Sequence, residues 1–150
     1  TLGLGIVGDL HRPAIEGFAQ LSHELPTRGI ATSGWAGRSH SLGIADAVTV
    51  LARTAAAADV AATLIANSVD ANHPAIVRRP ARDLDDDSDL GERLVTVDVG
   101  DIDPDAIETA LDAGERAVQK MRRDHLVEAA VLMLKGETRV VGRASRAIAA

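Results

Sequence analysis

Cysteine is absent from this chain of 150 residues. The absence excludes a disulfide framework and thiolate metal sites, and it fits a reducing compartment. Long apolar runs are missing as well. No segment approaches the roughly 20 residues of a membrane-spanning helix, and no signal peptide is visible. We therefore expect a cytoplasmic protein that has no membrane partner.

Aromatic residues and basic clusters are also scarce. One tryptophan, one phenylalanine and no tyrosine exclude a function that depends on stacking nucleic-acid bases on aromatic rings. The net charge of −6, with basic residues scattered along the chain, argues against a nucleic-acid partner. Alanine, valine, leucine and isoleucine are abundant, and the core must be built from them. The length indicates one domain or part of one.

Periodicity and helix signals predict two helices and several strands. The Ala-rich segment 54–69 has no glycine or proline and predicts a helix that is buried on most sides. Asp103 and Pro104 are typical of a helix start, and the helical spacing continues to about residue 123. Strands are expected at 2–7, 44–51 and 94–99, and a closing hairpin at 129–134 and 138–141. Three stretches are interpreted as irregular: 9–25 (a short helix or ordered loop), 27–43 (a glycine-rich loop with short extended pieces) and 70–89 (a linker-like loop).

The glycine-rich segment 27–43 is the first candidate site. Its glycines let the backbone approach a ligand closely, and its hydroxyl and guanidinium groups can bind a phosphate or a carboxylate. His40 could act there as an acid, a base or a ligand. The alternative is a structural turn whose hydroxyls satisfy its own backbone. The candidate residues are Arg28, Thr32, Ser33, Gly34, Arg38, Ser39 and His40.

Asp59 and Thr63 form the second candidate site, in the middle of the Ala-rich helix. They are four residues apart and therefore share one helix face. Two oxygen ligands one turn apart can hold part of a Mg²⁺ shell, and phosphate and water can fill the rest. The alternatives are an Asp59 that pairs with Arg38 or Arg53, and an Asp59 on a solvent-facing strip. Asp46, ahead of the Ala-Val-Thr-Val-Leu centre of the strand predicted at 44–51, is a further candidate ligand; the alternative is that it only begins that strand.

Three segments together resemble the ApbE-like superfamily, and most closely its branch of short uncharacterised bacterial and archaeal proteins. They are Gly-Ile-Ala-Thr-Ser-Gly at 29–34, Gly-Arg-Ser-His-Ser-Leu-Gly-Ile-Ala-Asp-Ala-Val-Thr-Val at 37–50, and Ala-Asp-Val-Ala-Ala-Thr-Leu-Ile-Ala-Asn at 58–67. The resemblance implies an α+β fold, with a mixed sheet packed with helices, related to the FAD:protein FMN transferases. Those enzymes use Mg²⁺ at the FAD pyrophosphate to move FMN onto a protein threonine or serine.

The resemblance also implies roles for particular residues. The Asp-x-x-x-Thr metal motif of the transferases corresponds to Asp59 and Thr63, and their Ala-Thr-Ser-Gly segment to 31–34. A Mg²⁺ ion and a flavin or another phosphorylated small molecule are therefore expected. Two motifs depart from the pattern. The transferase motif His-Ile-x-Asp-Pro-x-Thr-Gly is replaced by a shorter Ser39-His40-Ser41, and the upstream Asn-Gly-Gly-Asp segment is absent. We therefore interpret the chain as the C-terminal part of an ApbE-like fold that needs an N-terminal half or a partner subunit, in an oligomer.

Thr1 supports a different hypothesis. A threonine at a free N-terminus can act as a nucleophile, with its own α-amine as the base, as in self-processing hydrolases. Autocatalytic cleavage before Thr1 would make this chain one subunit of an amidohydrolase, with the loop hydroxyls or Asn67 as oxyanion donors. The ordinary alternative is that the residues before Thr1 were left out. A non-catalytic structural subunit is the third hypothesis.

Overall fold

The computed structural model of the protein describes residues 2–6, 17–21, 23–37 and 39–142. These residues form two α-helices and eight strands, which confirms the α+β class. The helices are α1 (Ala55–Ser68) and α2 (Pro104–Arg123), and a short 3-10 helix spans Ala81–Asp83. The strands are β1 (Leu2–Ile6), β2 (Gly17–Leu21), β3 (Gly29–Ser33), β4 (Ala47–Ala52), β5 (Ile76–Pro80), β6 (Leu94–Val99), β7 (Ala129–Leu134) and β8 (Glu137–Gly142).

The main sheet has four strands in the order β3-β4-β7-β8, while β1 pairs with β2 and β5 pairs with β6. Every pairing among the described strands is antiparallel, which corrects the expected mixed sheet. In the β7–β8 connection, Lys135 and Gly136 both have positive φ, of 50° and 83°. Such a two-residue turn reverses the chain, so the strands it joins can only be antiparallel.

Both helices pack on one face of the main sheet. The core cluster combines alternate strand residues, such as Val50 and Leu132, with helix residues, such as Ile65 and Val118. Gly114 allows α2 to come close, because a Cβ there would overlap the side chains of Val69 and Leu132. Ala47, Val131 and Met133 form a small second cluster. They alternate with the core residues along β4 and β7 and therefore lie on the opposite face of the sheet.

Side-chain caps account for the N-terminal ends of both helices. The Thr54 side chain accepts a hydrogen bond from the Ala57 backbone N–H, and Asp103 does the same for Ala106. Side-chain acceptors of this kind satisfy N–H groups that lack a partner within the helix. The predicted boundaries of both helices are therefore confirmed to within one residue.

The expected burial of α1 on most sides is wrong. Ala58, Ala61, Ala62, Ile65 and Ala66 are buried, whereas a strip along the other side is exposed to solvent. That strip contains Ala55, Ala56, Asp59, Val60, Thr63 and Leu64. Because alanine lies on both sides of the helix, the hydrophobic pattern does not distinguish the buried side from the exposed one.

Other departures from the predictions are local. Strand β5 lies within the stretch 70–89, which is interpreted as a loop from the sequence. Strand β2 lies within the stretch 9–25, where a short helix or an ordered loop is expected. Residues 7–16 and 22 lie outside the described residues. Strand β4 begins at Ala47 rather than at residue 44, because the Ile44 N–H donates to the Val69 carbonyl at the end of α1. None of the helices within the described ranges is long and apolar enough to cross a membrane.

Candidate functional site

Strand β3 contains two of the predicted site residues, Thr32 and Ser33. Ala31 packs against the core cluster, so its neighbour Thr32 points to the other face of the sheet. There the Thr32 hydroxyl lies 2.8 Å from the Thr49 hydroxyl across the β3–β4 pair. Ser33 is half-buried on the same face as Ala31. Thr32 therefore does not lie on the face of the sheet that α1 covers, and Ser33 does.

The turn 34–37, which we call the braced turn, follows β3. The Trp35 backbone N–H donates to the Ala45 carbonyl over 2.9 Å, and the Trp35 indole Nε1 donates to Asp46 Oδ1 over 3.1 Å. The other carboxylate oxygen of Asp46 accepts from the Lys135 backbone N–H. A Cβ at Gly34 would overlap the Asp46 carbonyl, so a glycine is needed for this approach. Asp46, a candidate metal ligand by sequence, holds the turn against the β7–β8 connection.

Residues 41–44, which we call the pinned loop, lie against the C-terminal end of α1. Asn67 Oδ1 accepts two hydrogen bonds from this loop, one from the Leu42 backbone N–H over 2.9 Å and one from the Ser41 hydroxyl over 3.1 Å. Ser41 is only 3% exposed. A Cβ at Gly43 would overlap the Ala66 carbonyl. The loop therefore lies in direct contact with the last turn of the helix.

Strand β6 holds the pinned loop from another side. The Thr96 backbone N–H donates to the Ser41 carbonyl over 2.8 Å. The Thr96 hydroxyl is buried without a hydrogen-bond partner among the described residues. The loop is thus attached both to α1 and to β6, which fixes its position relative to the helix.

Asp59, Thr63 and Asn67 follow one another at intervals of four residues and form what we call the polar stripe of α1. Residues at this spacing lie above one another on a helix surface. Asp59 and Thr63 are exposed, and Asn67 is half-buried beneath the pinned loop. Arg53, one of the expected partners of Asp59, lies 3.2 Å from Glu128 instead. Asp59 therefore occupies a solvent-facing position and avoids the cost of a buried carboxylate that motivated the metal hypothesis.

A Mg²⁺ ion at the polar stripe would have to take most of its ligands from elsewhere. Asp59 and Thr63 offer one carboxylate and one hydroxyl, one turn apart and open to solvent. Mg²⁺ in proteins commonly keeps several waters and is held by one or two carboxylates together with phosphate oxygens. No three His, Cys, Asp or Glu side chains form a metal-binding group within the described part of the chain. A phosphorylated ligand would have to supply the remaining oxygens.

The other predicted residues are placed as follows. The Arg28 guanidinium donates to the carbonyls of His23, Leu25 and Thr27, so it holds the segment before β3. Ser39 is exposed and His40 half-buried, between the braced turn and the pinned loop. Arg38 and Thr1 lie outside the described residues.

Asn67 was not among the residues predicted for the metal site. It was considered only as an oxyanion donor in the hydrolase hypothesis, although it stands four residues beyond Thr63, as Thr63 stands four beyond Asp59. Extending that spacing by one turn would have found it. The pairing of Asn67 with Ser41 could not have been predicted, because it depends on where the loop crosses the helix.

A concave region of about 360 Å³ lies along α2 and contains none of the predicted residues. It is lined by Asp112, Glu115, Arg116, Gln119 and Arg123. Arg139 pairs with Asp112 and Glu115, and the hydrogen bond that its guanidinium donates to Asp112 is the main reason why the pKa of Arg139 is raised. The two carboxylates of this region are therefore paired with a cation of the protein itself.

The fold and the candidate site thus define an α+β protein that has a polar stripe on α1, a braced turn after β3 and a pinned loop against the end of α1. A family model described as "AbpE bacteria" matches residues 1–140, and the chain belongs to this family. The match includes the braced turn, the pinned loop and all of α1. No match was found among curated proteins or among solved structures.

Proposed function

We propose that this protein binds a phosphorylated small molecule, a flavin or a nucleotide, through a Mg²⁺ ion held by Asp59 and Thr63. One observation carries the proposal: Asn67, at the end of the stripe that bears both ligands, is hydrogen-bonded to the pinned loop. Asn67 therefore links the C-terminal end of the stripe to Ser41 and Leu42, at the end of the glycine-rich segment. The likeness of 31–34 and 59–63 to the motifs of the FAD:protein FMN transferases supports the same reading.

Charge makes the metal ion necessary for binding. The stripe carries the Asp59 carboxylate and the chain has a net charge of −6, so a diphosphate on its own would be repelled. Mg²⁺ between the carboxylate and the phosphates removes this repulsion. Because each ligand then raises the affinity for the other, Mg²⁺ alone should bind weakly, and binding of both together should be cooperative.

Trp35 provides the measurement, since it is the single tryptophan and the chain has no tyrosine. A flavin that binds near the braced turn will quench the emission of Trp35. FAD should therefore produce saturable quenching in Mg²⁺ and little in EDTA. Asp59→Asn should weaken FAD binding about 10-fold or more, which corresponds to the loss of one charge-assisted contact. Asp86→Asn, the same change at an exposed aspartate between β5 and β6, is the matched control.

Equal affinity in Mg²⁺ and EDTA, or an equal effect of the two substitutions, would refute the proposal. A transferase activity is tested in the same sample with an acceptor protein. Transfer would break the FAD pyrophosphate, release AMP and leave FMN esterified to a threonine or serine hydroxyl of the acceptor. Mass spectrometry of the acceptor and detection of AMP distinguish transfer from binding alone.

A further inference from the structure

Asn67 presents two different chemical groups to its surroundings. Its Oδ1 must face the pinned loop, because the Leu42 backbone N–H donates to it and only the carbonyl oxygen can accept. The Nδ2 amide is then fixed on the opposite branch of the same planar group. No described residue accepts a hydrogen bond from Nδ2, whereas Oδ1 accepts two.

Helix geometry gives the distance of Asn67 from the proposed metal ligands. Asn67 comes one turn after Thr63 on the polar stripe, about 6 Å along the helix axis, and the side chain is half-exposed. A phosphate oxygen bound to a metal ion at Asp59 and Thr63 would lie within reach of an amide at this distance. Amide N–H groups donate to phosphate oxygens without adding charge.

We propose that Asn67 is a specificity-determining residue of this site: Oδ1 positions the pinned loop, and Nδ2 donates a hydrogen bond to a phosphate oxygen of the ligand. This inference rests on the proposed Mg²⁺-dependent function and names a further contact within it. A neutral amide is required at this position, because a carboxylate would serve the loop equally well but would repel the phosphate.

Asn67→Asp separates the two roles. A carboxylate keeps an acceptor for Ser41 and Leu42, so the melting temperature should stay close to that of the wild type. The affinity for Mn²⁺, measured by electron paramagnetic resonance as a probe of the metal site, should be equal or higher. The affinity for ADP in the presence of Mg²⁺, measured by calorimetry, should fall about 10-fold or more because a donor is replaced by a negative charge. Asn72→Asp, at an exposed position, is the matched control and should bind ADP like the wild type.

A second measurement on the wild-type protein remains informative even if Asn67→Asp fails to fold. The chain contains two asparagines and two glutamines, so a nitrogen-15 spectrum has only four side-chain amide groups. Addition of ADP and Mg²⁺ should shift the amide resonances of Asn67 and leave those of Asn72 unchanged.

The outcomes distinguish this inference from the proposed function. If the wild type binds ADP with Mg²⁺ and Asn67→Asp binds it equally well, or if the Asn67 amide resonances do not move, the role of Asn67 is wrong and the metal site stands. If the wild type does not bind FAD or ADP in a Mg²⁺-dependent way, both proposals are overturned. A fall in ADP affinity with unchanged melting temperature and Mn²⁺ affinity would support both.

Discussion

At the scale of single residues, Asp46 shows how one carboxylate holds two distant turns together. Its two oxygens accept from the Trp35 indole and from the Lys135 backbone N–H. Both contacts involve donors, so an acceptor is needed on each side. Asp46, at the end of the connection between β3 and β4, is placed to meet both donors.

Asp46→Asn should therefore destabilise the protein, although the side chain keeps its size. Asparagine offers one acceptor and places an NH₂ group against the other donor, which leaves one hydrogen bond unmade at a cost of about 1–3 kcal/mol. Urea unfolding should show this loss, and the emission of Trp35 should shift in the folded state. The exposed Asp86→Asn should change neither; a comparable loss in that variant would contradict the role given to Asp46.

The candidate site illustrates what single residues reveal before a structure is known. Asp59 and Thr63 could be selected because helical spacing alone places them on one face. The separation of Thr32 from them could not be predicted, because it depends on which face of β3 packs against the core. The exposed side of α1 could likewise not be predicted, because alanines lie on both the buried and the exposed side of the helix.

At the scale of elements, prediction succeeded where the ends carry strong signals. Helix α2 begins with Asp103 and Pro104, valine alternates along the strand at 94–99, and the closing hairpin starts with the apolar run 129–134; all of these were confirmed. Strand β5 was missed because its sequence, Ile-Val-Arg-Arg-Pro, combines charge with proline. Its pairing with β6 and the ion pair between Arg78 and Asp70 stabilise it in spite of this composition.

The N-cap of α2 predicts a pH effect. The Ala106 backbone N–H is the main cause of the lowered pKa of Asp103, and His73, 3.3 Å away, contributes a further lowering. Because the pKa is lower in the folded state, the contribution of Asp103 to stability is full above its unfolded value, about 3.9. It is lost as the pH falls through the folded value.

Asp103→Asn, which keeps a capping side chain, should therefore flatten the decline of the melting temperature below about pH 4. Melting curves recorded between about pH 7 and pH 2 provide the test. Asp105→Asn in the first turn of the same helix is the control, and it should change the decline of the melting temperature below about pH 4 less. If the melting temperature of Asp103→Asn declines below about pH 4 as steeply as that of the wild type, this account of Asp103 is wrong.

At the scale of the whole molecule, the core is built from small side chains. The buried apolar residues of the described chain are alanine, valine, leucine, isoleucine and one methionine, as the composition predicted. Small side chains let helices and sheet approach closely, as at Gly114. A core of this kind has little room for larger groups.

Enlarging a buried alanine should therefore be costly, and α1 offers a matched pair. Ala62 is 1% exposed, whereas Ala56 lies on the solvent-facing strip of the same helix. Ala62→Leu should lower the free energy of unfolding by about 1–3 kcal/mol, and Ala56→Leu should stay within about 0.5 kcal/mol of the wild type. Denaturant unfolding of both variants tests this, and equal stabilities would show that the core is looser than its burial indicates.

The contact between Asp46 and Lys135 also affects the order in which parts of the structure form during synthesis. The two residues are 89 positions apart in the chain, and β4, which follows Asp46, pairs with β7, which precedes Lys135. During synthesis the N-terminal part emerges first, so β3 and the glycine-rich turn leave the ribosome long before the strand and the backbone N–H that hold them. A nascent chain that stops before β7 would contain Asp46 and the braced turn but not the Lys135 N–H that holds Asp46. The braced turn should therefore reach its final position only when the last hairpin has been translated.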